Sequence, residues 1–314
     1  LRFKRNEIER DKYKKLDGMT AALVFEKPST RTRMSLEVAC HQLGIKPIYV
    51  FDGPPHPLKL KVLQERHLRR EDAEQKYIEA LSRGDYEEAK KYAKQAARIE
   101  DYMVESAKTL LGYLGVPIIT APHDGEAQAA YLVKKGDAYA VSSPDYDSFL
   151  YGAPKVIRGL RITKSGGRKG EEEIREYDLS DVLSKLGISY EQLVDLAILI
   201  GTDYNPEGFR GIGPKKAFNL IKQHRSLERI VKLSIVKWTY PFSIDDIRSI
   251  FLKPPITDNY DIKFREPNRE KILEFLVEEH DFNPERVNKE LDEVFKRIER
   301  EEKAGRQASL FDFF

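Results

Sequence analysis

The segment VPIITAPHDGEAQAAYLVKK, residues 116–135, joins an apolar run, an acidic turn and a helical pattern. Val116–Thr120 is rich in β-branched residues, which predicts a buried strand. The helix predicted for Gly125–Lys135 follows Asp124 directly and carries Glu126 in its first turn. A strand, a loop and a helix in this order form the repeating unit of a parallel α/β sheet. The segment therefore predicts an α/β fold with carboxylates at the carboxyl end of a strand.

The same alternation of strand and helix continues on both sides of this segment. Short apolar runs predict strands at Met19–Phe25, Ile45–Phe51, Ala138–Ser142 and Lys155–Ile157, with a short helix at Tyr146–Tyr151. This pattern is typical of a mostly parallel central sheet with helices on both faces.

Helical patterns with high charge occupy much of the remaining chain. Ser189 and Gln192 form a capping-box pattern that begins a predicted helix, and Gly201 ends it. The predicted helical regions are Leu58–Leu114 with a break near Ser82–Asp85, Tyr190–Ile200, Lys215–Lys232 and Arg269–Lys303.

The overall composition limits the class of protein. The charges of the 54 basic and 52 acidic residues nearly cancel, so the net charge gives no information about binding partners. Only local clusters of charge can indicate them. Cys40, the single cysteine, excludes an internal disulfide and is typical of a reducing compartment. No apolar run approaches the length of a membrane span, so we expect no membrane partner and an intracellular location, in cytoplasm or nucleus.

Six carboxylates follow strands or helix ends at the points where α/β proteins bind ligands. In a parallel sheet the carboxyl ends of the strands share one crevice, and acidic side chains gathered there repel one another unless cations neutralise them. Oxygen ligands without a Cys/His cluster favour Mg²⁺ or Mn²⁺, and two such ions roughly 3.5–4 Å apart serve phosphodiester hydrolysis. The alternative for any one of them is a helix cap or turn residue, with Asp124 and Asp145 as candidate caps. The predicted metal ligands are Asp52, Asp124, Glu126, Asp145, Asp147 and Asp203.

Two basic segments are candidates for phosphate contacts. Lys59, Arg66 and Arg70 share one face of the predicted helix, with Arg69 adjacent. The alternative is a solvated face with pairs such as Glu65–Arg69. In the turn Gly211–Lys216, Gly211 and Gly213 allow close backbone approach, while Lys215 and Lys216 add charge at a helix start. The alternative there is a plain connection between two helices.

Four contiguous motifs lie at the predicted strand ends and around the turn before the helix at Lys215: VFDG (Val50–Gly53), APHDGEAQAAY (Ala121–Tyr131), PDYDSFLYG (Pro144–Gly152) and LIGTDYNPEGFRGIGPKKA (Leu199–Ala217). They resemble the motifs of the flap endonucleases, the structure-specific 5′ nucleases of DNA replication and repair, and those of the archaeal members most closely. Two departures are that Asp124 stands where the family usually has Glu, and Pro144 where it has a polar residue.

The resemblance implies a PIN-like 5′ nuclease fold that cleaves branched DNA carrying a 5′ flap, with two Mg²⁺ ions or Mn²⁺ in their place. It implies that the six carboxylates are metal ligands or close to them. Lys59 and Arg66 would contact the scissile phosphate at the base of a helical arch within residues 58–114. Residues 189–235 would form a helix-hairpin-helix-type element that holds duplex DNA near a K⁺ ion.

The C-terminal residues fit the pattern Q-x-x-L-x-x-F-F. Gln307, Leu310, Phe313 and Phe314 lie at spacings that place three apolar side chains on one face of a single helical turn. Such a face suits a hydrophobic pocket on a partner, and exposed Phe pairs are unfavourable without one. The segment resembles the motif that binds a sliding clamp; the alternative is an unstructured tail.

The first 44 residues do not resemble a flap endonuclease. Leu16–Gly44 instead resembles the carbamoyl-phosphate-binding segment of ornithine and aspartate transcarbamoylases, whose phosphate loop would correspond to Ser29, Thr30, Arg31, Thr32 and Arg33. The other transcarbamoylase signatures are absent. The family's first-strand metal-binding Asp has no counterpart either, and Glu26 is the only carboxylate near its place. Residues 1–44 are thus interpreted either as a chimeric segment or as one that fills the first-strand position of the sheet.

These observations divide the chain into residues 1–44, a nuclease domain at 45–303 and a clamp-binding tail at 304–314. The leading hypothesis is a Mg²⁺-dependent 5′ flap endonuclease with 5′ exonuclease activity, whose metal binding is expected to be weakened by the missing Asp. A non-catalytic protein that binds DNA and a sliding clamp is the second hypothesis, and a carbamoyl-phosphate transferase is the third.

Overall fold

A six-stranded sheet carries the candidate site. The computed structural model describes residues 19–24, 45–97, 100–160, 174–292 and 294–296. The sheet has the order β3-β2-β1-β4-β5-β6; its first five strands are parallel, and β6 is antiparallel to β5. The strands are β1 (Thr20–Val24), β2 (Lys46–Phe51), β3 (Ile118–Thr120), β4 (Ala140–Ser142), β5 (Lys155–Arg158) and β6 (Arg175–Asp178). The expected mostly parallel α/β fold is confirmed.

The central strands are continuous apolar runs because both of their faces are covered. Ala22 and Leu23 of β1 are fully buried, as are Ile48 and Val50 of β2. In the register of the sheet, Ala22 lies beside Ile48 on one side and beside Val141 on the other. From β1 the chain proceeds to β2 and β3 on one side and returns to β4 on the other. This reversal places a topological switch point at the carboxyl edge between β1 and β4.

The described residues include ten labelled α-helices and one further α-helical segment. Short 3₁₀ turns occur at Pro57–Lys59 and Asp147–Phe149, a π-helical turn at Glu274–Glu278, and residues 284–292 are also helical. The α-helices are α1 (Leu60–Ser82), α2 (Tyr86–Ala96), α3 (Asp101–Tyr113), α4 (Gly125–Lys135), α5 (Leu179–Leu186), α6 (Tyr190–Ile200), α7 (Pro214–His224), α8 (Leu227–Lys232), α9 (Ile244–Leu252) and α10 (Arg269–Leu273).

Several predicted elements have the expected bounds. Helix α4 spans Gly125–Lys135 and packs against β1, β2 and β4. Helix α6 begins at a complete capping box formed by Ser189 and Gln192, and ends at Gly201. The predicted break in the charged region lies between α1 and α2, where Gly84 adopts a positive φ of 72°.

Other sequence predictions were wrong in detail. The single helix expected at Lys215–Lys232 is two helices, because Arg225 ends α7 with a left-handed φ of 73° and Ser226 caps α8. The helix expected from Arg269 is interrupted. Helix α10 passes into a π-helical turn that ends at Glu278, and residues 279–283 separate this turn from the helical residues 284–292. Strand β6 and helices α5 and α9 were not predicted.

The described residues divide into two units. One contains residues up to Glu100 together with Ile118–Ile262, and it includes the whole sheet. The other contains Asp101–Pro117 and residues from Lys263 onward, with a small apolar cluster around Ile272, Val287 and Leu291. None of the described helices is long and apolar enough to cross a membrane. The phosphate-loop residues 29–33, Glu26 and the tail residues Gln307, Leu310, Phe313 and Phe314 lie outside the described residues.

Candidate active site

Asp52 connects the end of β2 with the start of α4. Its Oδ1 accepts a hydrogen bond of 2.6 Å from the backbone N–H of Gly125, the first residue of α4. Gly53 allows this arrangement, because a Cβ there would lie 2.1 Å from the carbonyl oxygen of Ala121. Strand β2 and the β3–α4 turn thus meet closely enough for Asp52 to reach the positive end of the helix.

Three donors converge on the carboxylate of Asp124. The ammonium of Lys59 donates to Oδ1, while the phenols of Tyr151 and Tyr204 both donate to Oδ2. The Tyr151 distance is 2.7 Å, and the two phenol oxygens lie 3.2 Å apart. Asp124 is therefore held firmly in one orientation.

The two predicted basic residues of the arch lie against the carboxylates. Lys59 precedes α1, and its ammonium lies 3.5 Å from Asp203 as well as contacting Asp124. Arg66, two turns along α1, donates to Asp203 Oδ1 at 2.7 Å. Within the described residues, the alternative Glu65–Arg69 ion pair is absent. Arg69 and Arg70 are exposed on the same helix.

A buried serine links the remaining acidic residues. Glu126 is 5% exposed and accepts a hydrogen bond of 2.6 Å from Ser143 Oγ. The same Ser143 oxygen accepts from the backbone N–H of Asp145 at 3.1 Å, which ties the loop after β4 to α4. Asp147 begins the following 3₁₀ turn.

Mutual repulsion marks the carboxylates as one electrostatic cluster. Desolvation raises the pKa of Asp52, and the charges of Asp124 and Asp203 add to this effect. The pKa of Asp147 is raised by desolvation and by the nearby Asp203 and Asp145. Burial alone would raise the pKa of Asp124, but the charge and hydrogen bond of Lys59 lower it below its usual range. A cationic group in this cluster is electrostatically favourable, and the ammonium of Lys59 lies there.

The chemistry of the donor set fits a hard divalent cation. All the candidate ligands are carboxylate oxygens, which Mg²⁺ and Mn²⁺ prefer. Yet in the part of the chain that the structure describes, no three His, Cys, Asp or Glu side chains form a group able to hold an ion. The carboxylates pair with Lys59, Arg66 and the tyrosine phenols instead. The metal role of the six carboxylates stays a prediction.

The alternative interpretation of Asp124 and Asp145 as helix caps is not what the structure contains. Asp124 occupies the N-cap position of α4, but its side chain makes no capping hydrogen bond. Tyr146, not Asp145, is the cap residue of the 3₁₀ turn. At the start of α4 the N–H of Gly125 donates to Asp52 instead.

The predicted DNA-binding turn precedes α7. Gly211 has a φ of +77°, which favours glycine, whereas Gly213 is the N-cap residue with a φ of −92°. A Cβ on either glycine would contact nothing within 4 Å, so the backbone here is open to a large ligand. Lys215 and Lys216 are exposed, and Lys216 Nζ lies 3.3 Å from the carbonyl oxygen of Gly211.

Sequence reasoning missed three residues of the site: Ser143, Tyr151 and Tyr204. Both tyrosines lie within quoted motifs, and both are nearly buried, at 4% and 3% exposure. A buried tyrosine needs a hydrogen-bond partner for its hydroxyl, and this requirement was the signal that could have identified the two tyrosines. The identity of that partner depended on packing between distant segments.

Comparisons with known proteins match most of the chain. Residues 115–203 match the family model described as the XPG I-region. Flap endonuclease 1 of Staphylothermus marinus is 49% identical over an alignment of 278 residues that covers 86% of this chain and 78% of that relative. Flap endonuclease 1 of Thermococcus onnurineus is 46% identical and covers 87% and 79%.

Solved structures agree with these relatives. The flap endonuclease-1 structure from Methanococcus jannaschii matches with a TM-score of 0.67 and 37% identity, over 94% of this chain and 96% of that one. A complex of the Holliday junction-resolving enzyme GEN1 with product DNA and Mg²⁺ matches with a TM-score of 0.55. It covers 88% of this chain and 69% of that chain at 17% identity, and so supports the fold alone.

The sheet is mostly parallel, and acidic side chains lie at its carboxyl edge beside a basic helix. This arrangement is typical of α/β enzymes that act on phosphate esters. The sequence identities of 49% and 46% to these relatives, over most of both chains, identify one family within that class. The chain belongs to the flap endonuclease family.

The first part of the chain also matches a second family. Residues 1–121 match the model described as aspartate/ornithine carbamoyltransferase, carbamoyl-P binding domain. This range contains the Leu16–Gly44 segment that resembled transcarbamoylases in sequence. The transferase hypothesis is not favoured, since flap endonuclease relatives cover 86–87% of the chain.

Proposed function

We propose that this chain hydrolyses phosphodiester bonds in branched DNA with a 5′ flap, in DNA replication and repair. The observation that carries the proposal is the meeting of Lys59 and Arg66 with Asp124 and Asp203 at the carboxyl edge of the sheet. Such a site provides both the cations that attract a phosphate and the carboxylates that hold metal ions.

The carboxylates Asp52, Asp124, Glu126, Asp145, Asp147 and Asp203 are the groups that would hold Mg²⁺, with two ions in the full site and Mn²⁺ as a substitute. When bound, the metal supplies an activated water and stabilises the leaving oxygen. Asp52 is oriented by the Gly125 N–H, and Glu126 by Ser143. Fixed ligands of this kind lower the reorganisation that ion binding requires.

Lys59 and Arg66 are the groups proposed to bind the scissile phosphate. Both form ion pairs with carboxylates; Lys59 lies immediately before α1, and Arg66 lies within its second turn. A phosphate would offer each of them an alternative anion once the carboxylates are neutralised. Arg69 and Arg70, exposed farther along α1, are proposed to contact the same DNA strand.

The turn before α7 is the proposed contact to duplex DNA. Gly211 and Gly213 leave the backbone open, and Lys215 and Lys216 project charge beside the helix start. A K⁺ ion at the carbonyls of this turn would strengthen the contact. Replacing K⁺ by tetramethylammonium at constant ionic strength should then weaken duplex binding.

A sliding clamp is the proposed protein partner, through Gln307, Leu310, Phe313 and Phe314. The support is the sequence pattern itself, which places the apolar anchors on one face. Substituting Phe313 and Phe314 by Ala should abolish binding to an archaeal sliding clamp measured by calorimetry. Undiminished binding would exclude this role.

Cleavage of a 5′-flap duplex tests the main proposal. The wild-type chain should cleave only with Mg²⁺ or Mn²⁺, and Asp145→Ala should lower the rate by roughly 100-fold or more, as loss of a group that stabilises charge does. Equal rates for the two proteins would contradict the assigned site. Flap binding without turnover at any concentration of either ion would instead support the non-catalytic hypothesis.

A further inference from the structure

The hydroxyl groups of Tyr151 and Tyr204 both donate hydrogen bonds to one carboxylate oxygen of Asp124. Oδ2 accepts both phenol protons, so its lone pairs are committed. Oδ1 is the oxygen that faces the cationic side of the site, where Lys59 donates to it. The two oxygens of this carboxylate therefore differ in role. Oδ2 is fixed by the two phenols, and Oδ1 faces the cationic side of the site.

The anchoring groups are themselves rigid. The ring of Phe251 packs against both tyrosines, with centroids 5.3 Å from Tyr151 and 5.5 Å from Tyr204. His56 packs edge-on against Tyr204 from another side, at 5.8 Å. Neither phenol can swing away without disturbing this aromatic packing, so the hydrogen bonds to Asp124 are preorganised.

The tyrosine hydroxyls also set the length of side chain that fits at residue 124. With the phenol oxygens 3.2 Å apart and both in contact with Oδ2, the space beyond that oxygen is filled. A glutamate, one methylene longer, would drive its carboxylate into these hydroxyls or away from its present place. Removal of the Tyr151 hydroxyl, as in Tyr151→Phe, would free part of the space into which the longer side chain extends.

We propose that Tyr151 and Tyr204 are positioning residues that orient Asp124 for metal binding, and that the Tyr151 hydroxyl compensates for the short side chain of Asp124. This inference rests on the proposed metal role of Asp124. Tyr151 acts on the metal only through Asp124, so its loss should be corrected by a change at residue 124. A purely structural tyrosine would not be corrected in that way.

Mn²⁺ binding to the full chain, followed by the electron paramagnetic resonance signal of the free ion, tests the proposal without DNA. Tyr151→Phe and Tyr204→Phe should each weaken Mn²⁺ binding by roughly 10-fold, the lower end of the effect of losing a group that orients a metal ligand. Asp124→Glu alone should also bind more weakly. The double variant Asp124→Glu/Tyr151→Phe should recover most of the wild-type affinity.

Tyr190→Phe is the matched control. Its hydroxyl lies 2.7 Å from the carbonyl oxygen of Leu150 and 3.4 Å from that of Phe251, and it is bonded to no carboxylate of the site, so Mn²⁺ binding should not change. Thermal melting of each variant checks that it is folded. Unchanged Mn²⁺ affinity in both folded tyrosine variants, or no recovery in the double variant, would overturn the inference.

The Asp145→Ala variant distinguishes an error in the positioning role from an error in the proposed metal site. If wild-type binding is lost in Asp145→Ala but unchanged by the tyrosine substitutions, the metal site stands and only the positioning role is excluded. Mn²⁺ binding that Asp145→Ala leaves unaltered would overturn the metal role itself, and the positioning role with it.

Discussion

Gly125 determines how closely Asp52 approaches helix α4. A Cβ at this position would lie 3.1 Å from Asp52 Oδ1 and 3.4 Å from the carbonyl oxygen of Val50. The first contact is tighter than side chains normally make, and the group that has to move is a candidate metal ligand. Adding a single methyl group at the start of α4 would therefore disturb the site by displacing the Asp52 carboxylate.

We expect Gly125→Ala to raise the Mg²⁺ concentration needed for half-maximal cleavage by roughly 10-fold, because Asp52 is displaced from its hydrogen bond. A titration of flap cleavage against Mg²⁺ measures this. Gly112→Ala in α3 is the control, since a Cβ there meets nothing within 4 Å. Identical Mg²⁺ dependence in the two variants would refute the coupling between Gly125 and Asp52.

At the scale of elements, one buried carboxylate joins three helices. Asp195 of α6 is 2% exposed, accepts from the N–H of Leu227 at the start of α8, and forms a 2.7 Å ion pair with Arg248 of α9. Burial raises the pKa of Asp195, which the Leu227 and Arg248 contacts partly offset. The packing of α8 and α9 against α6 thus depends on a paired charge.

Arg248→Met should lower the free energy of unfolding by about 3 kcal/mol, since it leaves a buried carboxylate without its partner. Urea unfolding measures the loss, and adding Asp195→Asn should recover part of it. Arg229→Met on the exposed face of α8 is the control, expected within about 0.5 kcal/mol of wild type. An Arg248→Met cost no larger than that of the control would disprove the role of this ion pair.

The elements differ in how well local sequence predicted them. Helix α6 was placed correctly because its start and end are local signals, the capping box and Gly201. Helices α7 and α8 were merged because Arg225 is an ordinary helix former, and its left-handed backbone arises from the turn it makes. Strand β6, with the sequence REYD, has no apolar alternation and is a strand because it pairs with β5.

At the scale of the whole molecule, the site depends on contacts across long stretches of chain. Lys59 meets Asp124 across 65 positions and Arg66 meets Asp203 across 137. The six-stranded sheet creates these contacts, since β2, β3 and β4 are parallel and end at the same edge. The basic turn before α7 belongs to the same unit, so one unit carries both the acidic cluster and the proposed duplex contact.

Binding of duplex DNA by this unit should depend on salt in proportion to the phosphates it neutralises. The double variant Lys215→Ala/Lys216→Ala should bind more weakly and reduce the slope of log affinity against log salt by about 1–2, because each phosphate left without its lysine lowers the slope by about 0.9. Fluorescence anisotropy at several salt concentrations measures the slope. Lys185→Ala on α5 serves as the control; an equal change of slope there would mean that the turn has no special role.

The sequence by itself determined the α/β alternation, the candidate carboxylates and the family, since these rest on periodicity and on contiguous motifs. It also placed basic residues on α1, at helical spacing from Lys59. Only the tertiary structure decided that Asp124 is held by Tyr151 and Tyr204, and that Lys59 and Arg66 pair with carboxylates. Tyr204 and Asp124 are 80 positions apart. Hydrogen bonds over such separations are set by how the elements pack, which no local pattern encodes.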